Sequence, residues 1–259
     1  MQPAICCLPC SPLRADSSHK SEMVSQLLFG ECCMILDQEQ SDWVKIKCKY
    51  DGYEGWCQSS HVVEIGQSLY ETEEKKLTRG WITELQYNGY SMKVPFGSLL
   101  PGLKKGHTNW GKNKLVYSGK TWNPAAKASK NKKRIRQLAY TWINTPYLWG
   151  GKTVFGTDCS GYTQTIFRFL DIPLFRDAWQ QATQGELIGS LKKSSLGDLA
   201  FFDNAEGKIT HVGILLDKHE IIHASGKVRV DKINSEGIIN LDTGKQTHHL
   251  KLIRRYLRK

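Results

Sequence analysis

The sequence predicts two small all-β units followed by an α+β domain. Three observations predict it. Residues 1–123 alternate short apolar runs with turn signals. From Pro124 the apolar residues change to helical spacing. From Leu199 the chain returns to strand-like runs, and helices followed by an antiparallel sheet make an α+β domain. A length of 259 residues exceeds one typical domain and accommodates two or three compact units.

The first unit is read over residues 1–64. Met34-Ile35-Leu36, Trp43-Val44-Lys45-Ile46 and Gly55-Trp56-Cys57 are its strand runs, and Asp51-Gly52 between the last two is a hairpin signal. The second unit spans residues 65–123, punctuated by Gly89-Tyr90, Pro95-Phe96-Gly97 and Pro101-Gly102. The third spans residues 124–259. Ala125 to Asn144 carries Ile135, Leu138, Ala139 and Trp142 at helical spacing, and Pro146 stops the helix. A loop from Tyr147 to Gly156 leads to a second helix over Thr157 to Asp171, with Tyr162, Ile166, Phe169 and Leu170 facing the core. Strands follow at Leu199–Phe202, Val212–Leu216, Ile221–His223 and Leu250–Ile253.

Hydrophobic residues make up 40% of the chain and charged residues 24%, proportions that permit a sizeable core and exclude global disorder. The net charge of +11 favours acidic ligands through long-range attraction. The densest basic run holds Lys127, Lys130, Lys132, Lys133, Arg134 and Arg136, and reads first as the solvated face of a helix. No stretch approaches the roughly 20 apolar residues that span a membrane. Met1 to Arg14 lacks a basic segment before an apolar one, so a cytoplasmic location is expected, with a periplasmic or secreted one as the alternative if a signal peptide has been trimmed.

Seven of the eight cysteines precede residue 58: Cys6, Cys7, Cys10, Cys32, Cys33, Cys48 and Cys57. Cys7-x-x-Cys10 with Cys32 and Cys33 offers a zinc reading. Adjacent side chains on a strand point to opposite faces, however, so buried thiols in small β-barrels are the expected state. Cys159 stands alone in the remainder, and a lone cysteine with histidines downstream is a candidate nucleophile.

Thr157-Asp158-Cys159-Ser160-Gly161 opens the second helix, capped by Thr157 or Asp158. In the first turn the positive end of the helix dipole favours a thiolate, the attacking species. The bland alternative is a structural cysteine. His211 begins one strand run and His223 ends the next, with Asp217-Lys218-His219 as a hairpin-sized turn between them. Opposing residues of an antiparallel pair keep a constant index sum. A turn near Asp217 or Lys218 therefore sets His223 opposite or next to His211, on one face because their separation of twelve is even. Such a pair supplies a base and its orienter. His19, His61, His107, His219, His248 and His249 show no such pattern.

Five ordered blocks now carry a resemblance. Thr145-Pro146-Tyr147-Leu148-Trp149-Gly150-Gly151, Asp158-Cys159-Ser160-Gly161, Leu196-Gly197-Asp198-Leu199-Ala200-Phe201-Phe202, His211-Val212-Gly213-Ile214 and Ile222-His223-Ala224-Ser225-Gly226 resemble the NlpC family of papain-like peptidoglycan cysteine peptidases. The likeness covers residues 125 to 259. The front half resembles two bacterial SH3-type domains, which commonly precede this peptidase. Ser21 to Gln26 and Tyr50 to Trp56 are similar to the branch that recycles muropeptides, which cleaves after γ-D-glutamate in peptides with a free N-terminal L-alanine.

The resemblance implies an α+β papain-like peptidase domain behind two SH3-like barrels. It implies Cys159 as nucleophile, His211 as base and His223 as the third polar group. It implies Trp149, Asp158, Ser160 and Asp177 as substrate-binding residues, with Glu22 and Tyr53 closing on the substrate's free amine. Ala178 departs from it, since the family has a serine there. The implied partner is a murein peptide, L-Ala-γ-D-Glu-diamino acid, with no metal, no cofactor, no nucleic acid and no membrane span. The alternatives are an endopeptidase acting on polymeric peptidoglycan outside the cytoplasm, other acyl-transfer chemistry on the same fold, a silent wall-binding protein, and a nucleic-acid binder motivated by charge alone.

Overall fold

The structure, a computed structural model, describes residues 1–38, 42–73, 76–126 and 132–257; Lys127 and Lys130 of the basic run lie outside them. The chain divides into two compact units. One comprises Met1–Ala125 with Lys152–Val154, the other Ala126–Gly151 with Phe155–Lys259.

In the first unit, strands β1 (Gln2–Cys6), β2 (Cys10–Arg14), β3 (Met23–Leu28), β4 (Cys32–Gln38), β5 (Trp43–Cys48), β6 (Glu54–Gln58) and β7 (Val62–Glu64) form one sheet in the order β3-β2-β6-β5-β4-β1-β7. Alternation fixes its inner face: Val44, Ile46 and Cys48 of β5 join Ala4, Cys6, Leu13, Leu27, Cys33, Cys57 and Val62 in one core. Four of the early cysteines thus pack here as small hydrophobes. The β5–β6 hairpin turns where the sequence places Asp51-Gly52. Gly52 takes φ +73°, and Asp51 Oδ1 accepts the Tyr53 N–H at 3.0 Å.

A short helix α1 (Gln67–Tyr70) follows, then β8 (Leu77–Thr78), β9 (Ile82–Tyr87), β10 (Tyr90–Pro95), β11 (His107–Trp110), β12 (Asn113–Val116) and β13 (Thr121–Trp122). Four of these form a sheet in the order β10-β9-β12-β11. The two front segments share a core: Ile5, Cys7, Phe29 and Ile65 pack with Leu85, Tyr87, Val94, Leu100, Trp110 and Leu115. Phe29 lies 4.8 Å from the Trp110 ring and edge-on to Tyr87 at 5.8 Å. Gly30, at φ +77°, brings its backbone against the Leu99 carbonyl, where any side chain would collide.

This unit also holds a buried ion pair that no sequence pattern announces. Lys152 Nζ lies 3.5 Å from Glu31 Oε1, both side chains buried. Glu31 Oε2 accepts the Leu28 N–H at 2.8 Å, and the Lys152 N–H donates to Gln26 Oε1 at 2.7 Å. These bonds offset the desolvation that makes isolated buried charges unstable.

The second unit begins with α2 (Lys132–Tyr140), whose buried residues are Ile135, Leu138 and Ala139. Past two short strands, β14 (Lys152–Thr153) and β15 (Gly156–Thr157), α3 (Cys159–Arg168) is buried along its whole length. It ends three residues before the expected Asp171, which takes φ +58°. Then come α4 (Ala178–Gln181), β16 (Glu186–Ile188), β17 (Leu199–Asp203), β18 (Ile209–Leu215), β19 (Glu220–Ser225), β20 (Lys227–Ile233), β21 (Gly237–Ile239) and β22 (Gln246–Arg255). The sheet runs β16-β22-β17-β18-β19-β20-β21, and a further β21–β22 pairing closes six of the strands into a barrel. Ala200, Phe202, Leu215, Ile221, Ile233, Ile238 and Ile253 form one apolar cluster of this sheet, joined by Ile188 of β16. Strand alternation places His211 two residues before Leu215's neighbour Gly213, His223 two after Ile221, and Asp231 two before Ile233, all on the face those residues share. Strands β18 and β19 pack on α3.

Candidate active site

Cys159 is the first residue of α3. Asp158 is the N-cap, and its Oδ1 accepts the Gly161 N–H at 2.6 Å. Of the two residues offered as the cap, Asp158 is the one used. Asp158 is itself held by Arg176: Nη1 meets Oδ1 at 3.1 Å and Nη2 meets Oδ2 at 2.6 Å. Arg176 Nη1 also donates to Ser160 Oγ at 2.9 Å, and the Gly150 N–H donates to Asp158 Oδ2 at 2.9 Å. Arg176 is fully buried and was not singled out from sequence; its block, Phe175-Arg176-Asp177, has no periodicity to expose it.

The ladder between β18 and β19 starts at Gly213↔His223, so residues 210–212 have no partner from β19. The thiol of Cys159 uses that edge. Its Sγ is 3.9 Å from the Thr210 carbonyl oxygen, and the Val212 N–H also points to it. These two backbone groups flank His211. The hairpin turns about Lys218, which puts His223 diagonal to His211 on the same face, as the even separation requires. His211 Nε2 and His223 Nδ1 are 2.8 Å apart, with the rings nearly perpendicular at 85°. His211 Nδ1 is then the ring nitrogen outside that bond.

Three features come only from the structure. His223 Nε2 lies 3.0 Å from Asp231 Oδ2 on β20. His248, left among the histidines without a pattern, stacks on His211 with ring centroids 4.2 Å apart and planes 30° apart, its own strand separated from β18 by β17. The Tyr147 hydroxyl is raised in pKa, by burial first and then by Cys159 and Asp158.

Burial pushes the Cys159 thiol up to about 12; the Asp158 carboxylate adds to this, and the Val212 N–H, Arg176 and the Ser160 N–H oppose it. The lowered thiol expected from a helix start is therefore outweighed. His211 is held well below the ordinary histidine range, by burial first and then by His223 and His248. Burial thus favours the neutral form of both the thiol and the imidazole. As the first helical residue, Cys159 has a backbone N–H without an intrahelical acceptor, available to a developing oxyanion.

The remaining sequence-derived residues fall in two places. Trp149 is exposed, and Asp177 caps α4, its N–H donating to Gln180 Oε1 at 3.1 Å. Glu22 and Tyr53 belong to the first unit. Arg14 of β2 pairs with Met23 on one side and Trp56 on the other, so Glu22 and Tyr53 precede β3 and β6 at the same end of three adjacent strands.

Residues 144–246 match the NlpC/P60 family, and residues 13–62 match the bacterial dipeptidyl-peptidase Sh3 domain. The chain is 29% identical over 216 residues to a gamma-D-glutamyl-L-lysine dipeptidyl-peptidase of Bacillus subtilis (strain 168), covering 77% of this chain and 71% of the relative. It is 24% identical over 259 residues to dipeptidyl-peptidase 6 of Lysinibacillus sphaericus, covering 86% and 89%. Among solved structures, an NlpC/P60 family protein from Bacillus cereus ATCC 10987 has the same fold with a TM-score of 0.82 at 20% identity, covering 99% of this chain and 100% of that one. An NlpC/P60 endopeptidase from Photobacterium damselae subsp. piscicida follows at 0.72 and 18%, covering 96% and 70%. With a cysteine at a helix start and a pair of bonded histidines inside the matched segment, the chain carries an NlpC/P60 cysteine peptidase domain over residues 144–246 and a bacterial dipeptidyl-peptidase Sh3 domain over residues 13–62.

Proposed function

We propose that this cysteine peptidase hydrolyses the bond between γ-D-glutamate and the following diamino acid in short murein peptides, releasing L-Ala-D-Glu from substrates with a free N-terminal L-alanine. The observation that carries the reaction is the thiol of Cys159 against the backbone of Thr210 and Val212, the two residues that flank His211 in the chain, with His211 bonded to His223. The curated relatives named gamma-D-glutamyl-L-lysine dipeptidyl-peptidase support the bond.

In the reaction, Cys159 Sγ attacks the γ-glutamyl carbonyl as its proton passes to His211 Nδ1. The imidazolium then protonates the leaving amine of the diamino acid. Water, deprotonated by the same nitrogen, hydrolyses the thioester. The Cys159 N–H stabilises the oxyanion in both steps; one such donor contributes about 3–4 kcal/mol in other hydrolases.

We assign substrate contact to Trp149, Asp158, Ser160 and Asp177, and recognition of the free ammonium to Glu22 with Tyr53. The charge chemistry supports the latter, since a carboxylate and a tyrosyl hydroxyl together pair an ammonium. We take residues 1–64 as the SH3-type unit, 65–123 as a second of the same type, supported by its four-stranded antiparallel sheet, and 124–259 as the peptidase domain.

The test is incubation with L-Ala-γ-D-Glu-L-Lys, with and without an N-acetyl group. Product masses corresponding to L-Ala-D-Glu and lysine from the free peptide support the assignment. Intact peptide in both samples refutes it.

A further inference from the structure

Asp231 belongs to none of the sequence blocks that mark this family, yet it terminates the line of hydrogen bonds that runs through both histidines. It is fully buried on β20. Its Oδ2 faces His223 Nε2 at 3.0 Å. Its Oδ1 accepts the Leu241 N–H and Arg229 Nη2, each at 2.9 Å. Arg229 Nε stands 2.8 Å from Oδ2 but off line for a hydrogen bond, and Arg229 Nη1 is anchored by Asp242 Oδ2 at 2.8 Å. Every contact of the carboxylate is thus a donor.

We propose that Asp231 is a positioning residue that sets the direction of every proton along His223 and His211, and so decides which nitrogen of His211 is the base. The argument rests on His211 being the base proposed above. It needs only the donor and acceptor capacity of each group. An ionised carboxylate accepts and cannot donate, so His223 must present Nε2–H to it. With a single ring proton, His223 then has its lone pair on Nδ1. That lone pair can only accept, so His211 must donate from Nε2–H. Neutral His211 is left with its lone pair on Nδ1, the nitrogen available to the thiol. Reversing the first bond reverses all of them.

Burial alone would raise the Asp231 carboxyl; the bonds from His223, the Leu241 N–H and Arg229 outweigh it and hold the group below the usual carboxylate value, so it is ionised at neutral pH. Arg229 does more than neutralise. Together with the Leu241 N–H it claims the Oδ1 position for an oxygen.

That claim makes Asp231→Asn a directional test. The asparagine carbonyl must occupy the Oδ1 position, where two donors converge. Its NH2 is then forced to face His223 Nε2 and must donate to it. His223 becomes Nδ1–H, donates to His211 Nε2, and drives the His211 proton onto Nδ1, where it blocks the thiol. Asp231→Ala removes the carboxylate without supplying an opposing donor, leaving both histidines free to find the productive tautomer part of the time.

The experiment measures three proteins, wild type, Asp231→Asn and Asp231→Ala, by peptide hydrolysis and by 15N imidazole shifts of His211 and His223, assigned with His211→Gln and His223→Gln. In the wild type His211 should be protonated on Nε2 and bare on Nδ1. In Asp231→Asn the pattern should invert, and kcat should fall about 10²–10⁴-fold with KM little changed, the loss seen when an Asp→Asn change imposes the wrong tautomer in another hydrolase. Asp231→Ala should be more active than Asp231→Asn, an order that loss of packing or charge alone does not produce. A wild-type His211 protonated on Nδ1 overturns the proposal even if neither variant folds, as does Asp231→Asn with unchanged tautomers. If wild-type protein cleaves no murein peptide while the tautomers behave as stated, the substrate reading fails and the role of Asp231 stands.

Discussion

Gly213 is the direct cross-strand partner of His223. A Cβ at this glycine would stand 2.9 Å from the His223 Cβ and 2.7 Å from Ile221 Cδ1. The missing side chain is what lets His223 stand this close to the β18 backbone. Ile221 can rotate its terminal methyl away; the His223 Cβ is fixed by the backbone and cannot.

Gly213→Ala should therefore lengthen the His211–His223 bond. We expect a loss of about tenfold or more in kcat, with a destabilisation of about 1–3 kcal/mol typical of overpacking. Thermal melts and steady-state kinetics measure both. Full activity in a folded variant would show that the ring does not depend on this gap.

Cys159→Ser should fold normally and lose at least about 10³-fold in kcat, because a hydroxyl is a far weaker nucleophile beside the same imidazole. His211→Ala should match it, and His223→Ala should be milder. Since nucleophile and base act as one device, the double variant Cys159→Ser/His211→Ala should be hardly worse than either alone. Additive losses in that cycle would argue that the two residues work separately.

Glu22→Gln tests the amine site. Loss of one partner of a desolvated charge pair costs about 2–5 kcal/mol, which corresponds to roughly 30- to several-thousand-fold. Activity on free-amine peptides should fall by that order, and N-acetylated peptides should be poor substrates for the wild type. Equal rates for free and blocked peptides, unaffected by the substitution, would reduce the front domain to another role and leave Cys159 and His211 untouched.

His211 and His248 make the fold acid-sensitive. Burial, then the nearby His223 ring, brings His248 down to about 4, and His211 also lies well below the ordinary range. In the unfolded chain both titrate near 6.5. Above about pH 6.5 they are neutral in both states and stability is complete. As pH falls from there towards 4, the unfolded chain takes up protons that the folded rings refuse, and stability is lost. Melting temperature should decline through this window, and the decline should be shallower in His248→Gln. Parallel curves for the two proteins would rule out the contribution of His248.

Lys152→Met should leave the Glu31 carboxylate buried without its 3.5 Å counter-charge. The expected destabilisation is about 3–5 kcal/mol, and Glu31→Gln/Lys152→Met should recover most of it. Denaturant melts of the single and double variants decide this; a single variant as stable as the wild type would show that the pair contributes nothing.

The blocks around Cys159, His211 and His223 were legible because each obeys a local rule: a cap before a helix, an even separation across a short turn. Asp231 was not. Strand β20 reads Lys227-Val228-Arg229-Val230-Asp231, and Val228 and Asp231 are both buried although they lie on opposite faces, so alternation alone does not mark the face that carries the carboxylate. His248 escaped for another reason: its contact with His211 spans strands far apart in sequence, brought together by the β22-β17-β18 order of the sheet. The strands of the first sheet were legible from their alternation, whereas the core shared with residues 65–123 through Phe29 and Trp110 depends on tertiary packing that no periodicity encodes.

The segment Lys152–Val154 belongs to the compact body of residues 1–125, although the intervening chain has already entered the other one. Contiguity along the backbone and membership of a folding unit are therefore different things here. A gene cut after Ala125 yields a fragment that looks complete on paper but lacks the cation that Glu31 was folded around. Grafting this front half onto another hydrolase would carry the same debt: the recipient must return a lysine to that pocket from its own loop, so the two halves can be exchanged among relatives only as a matched set.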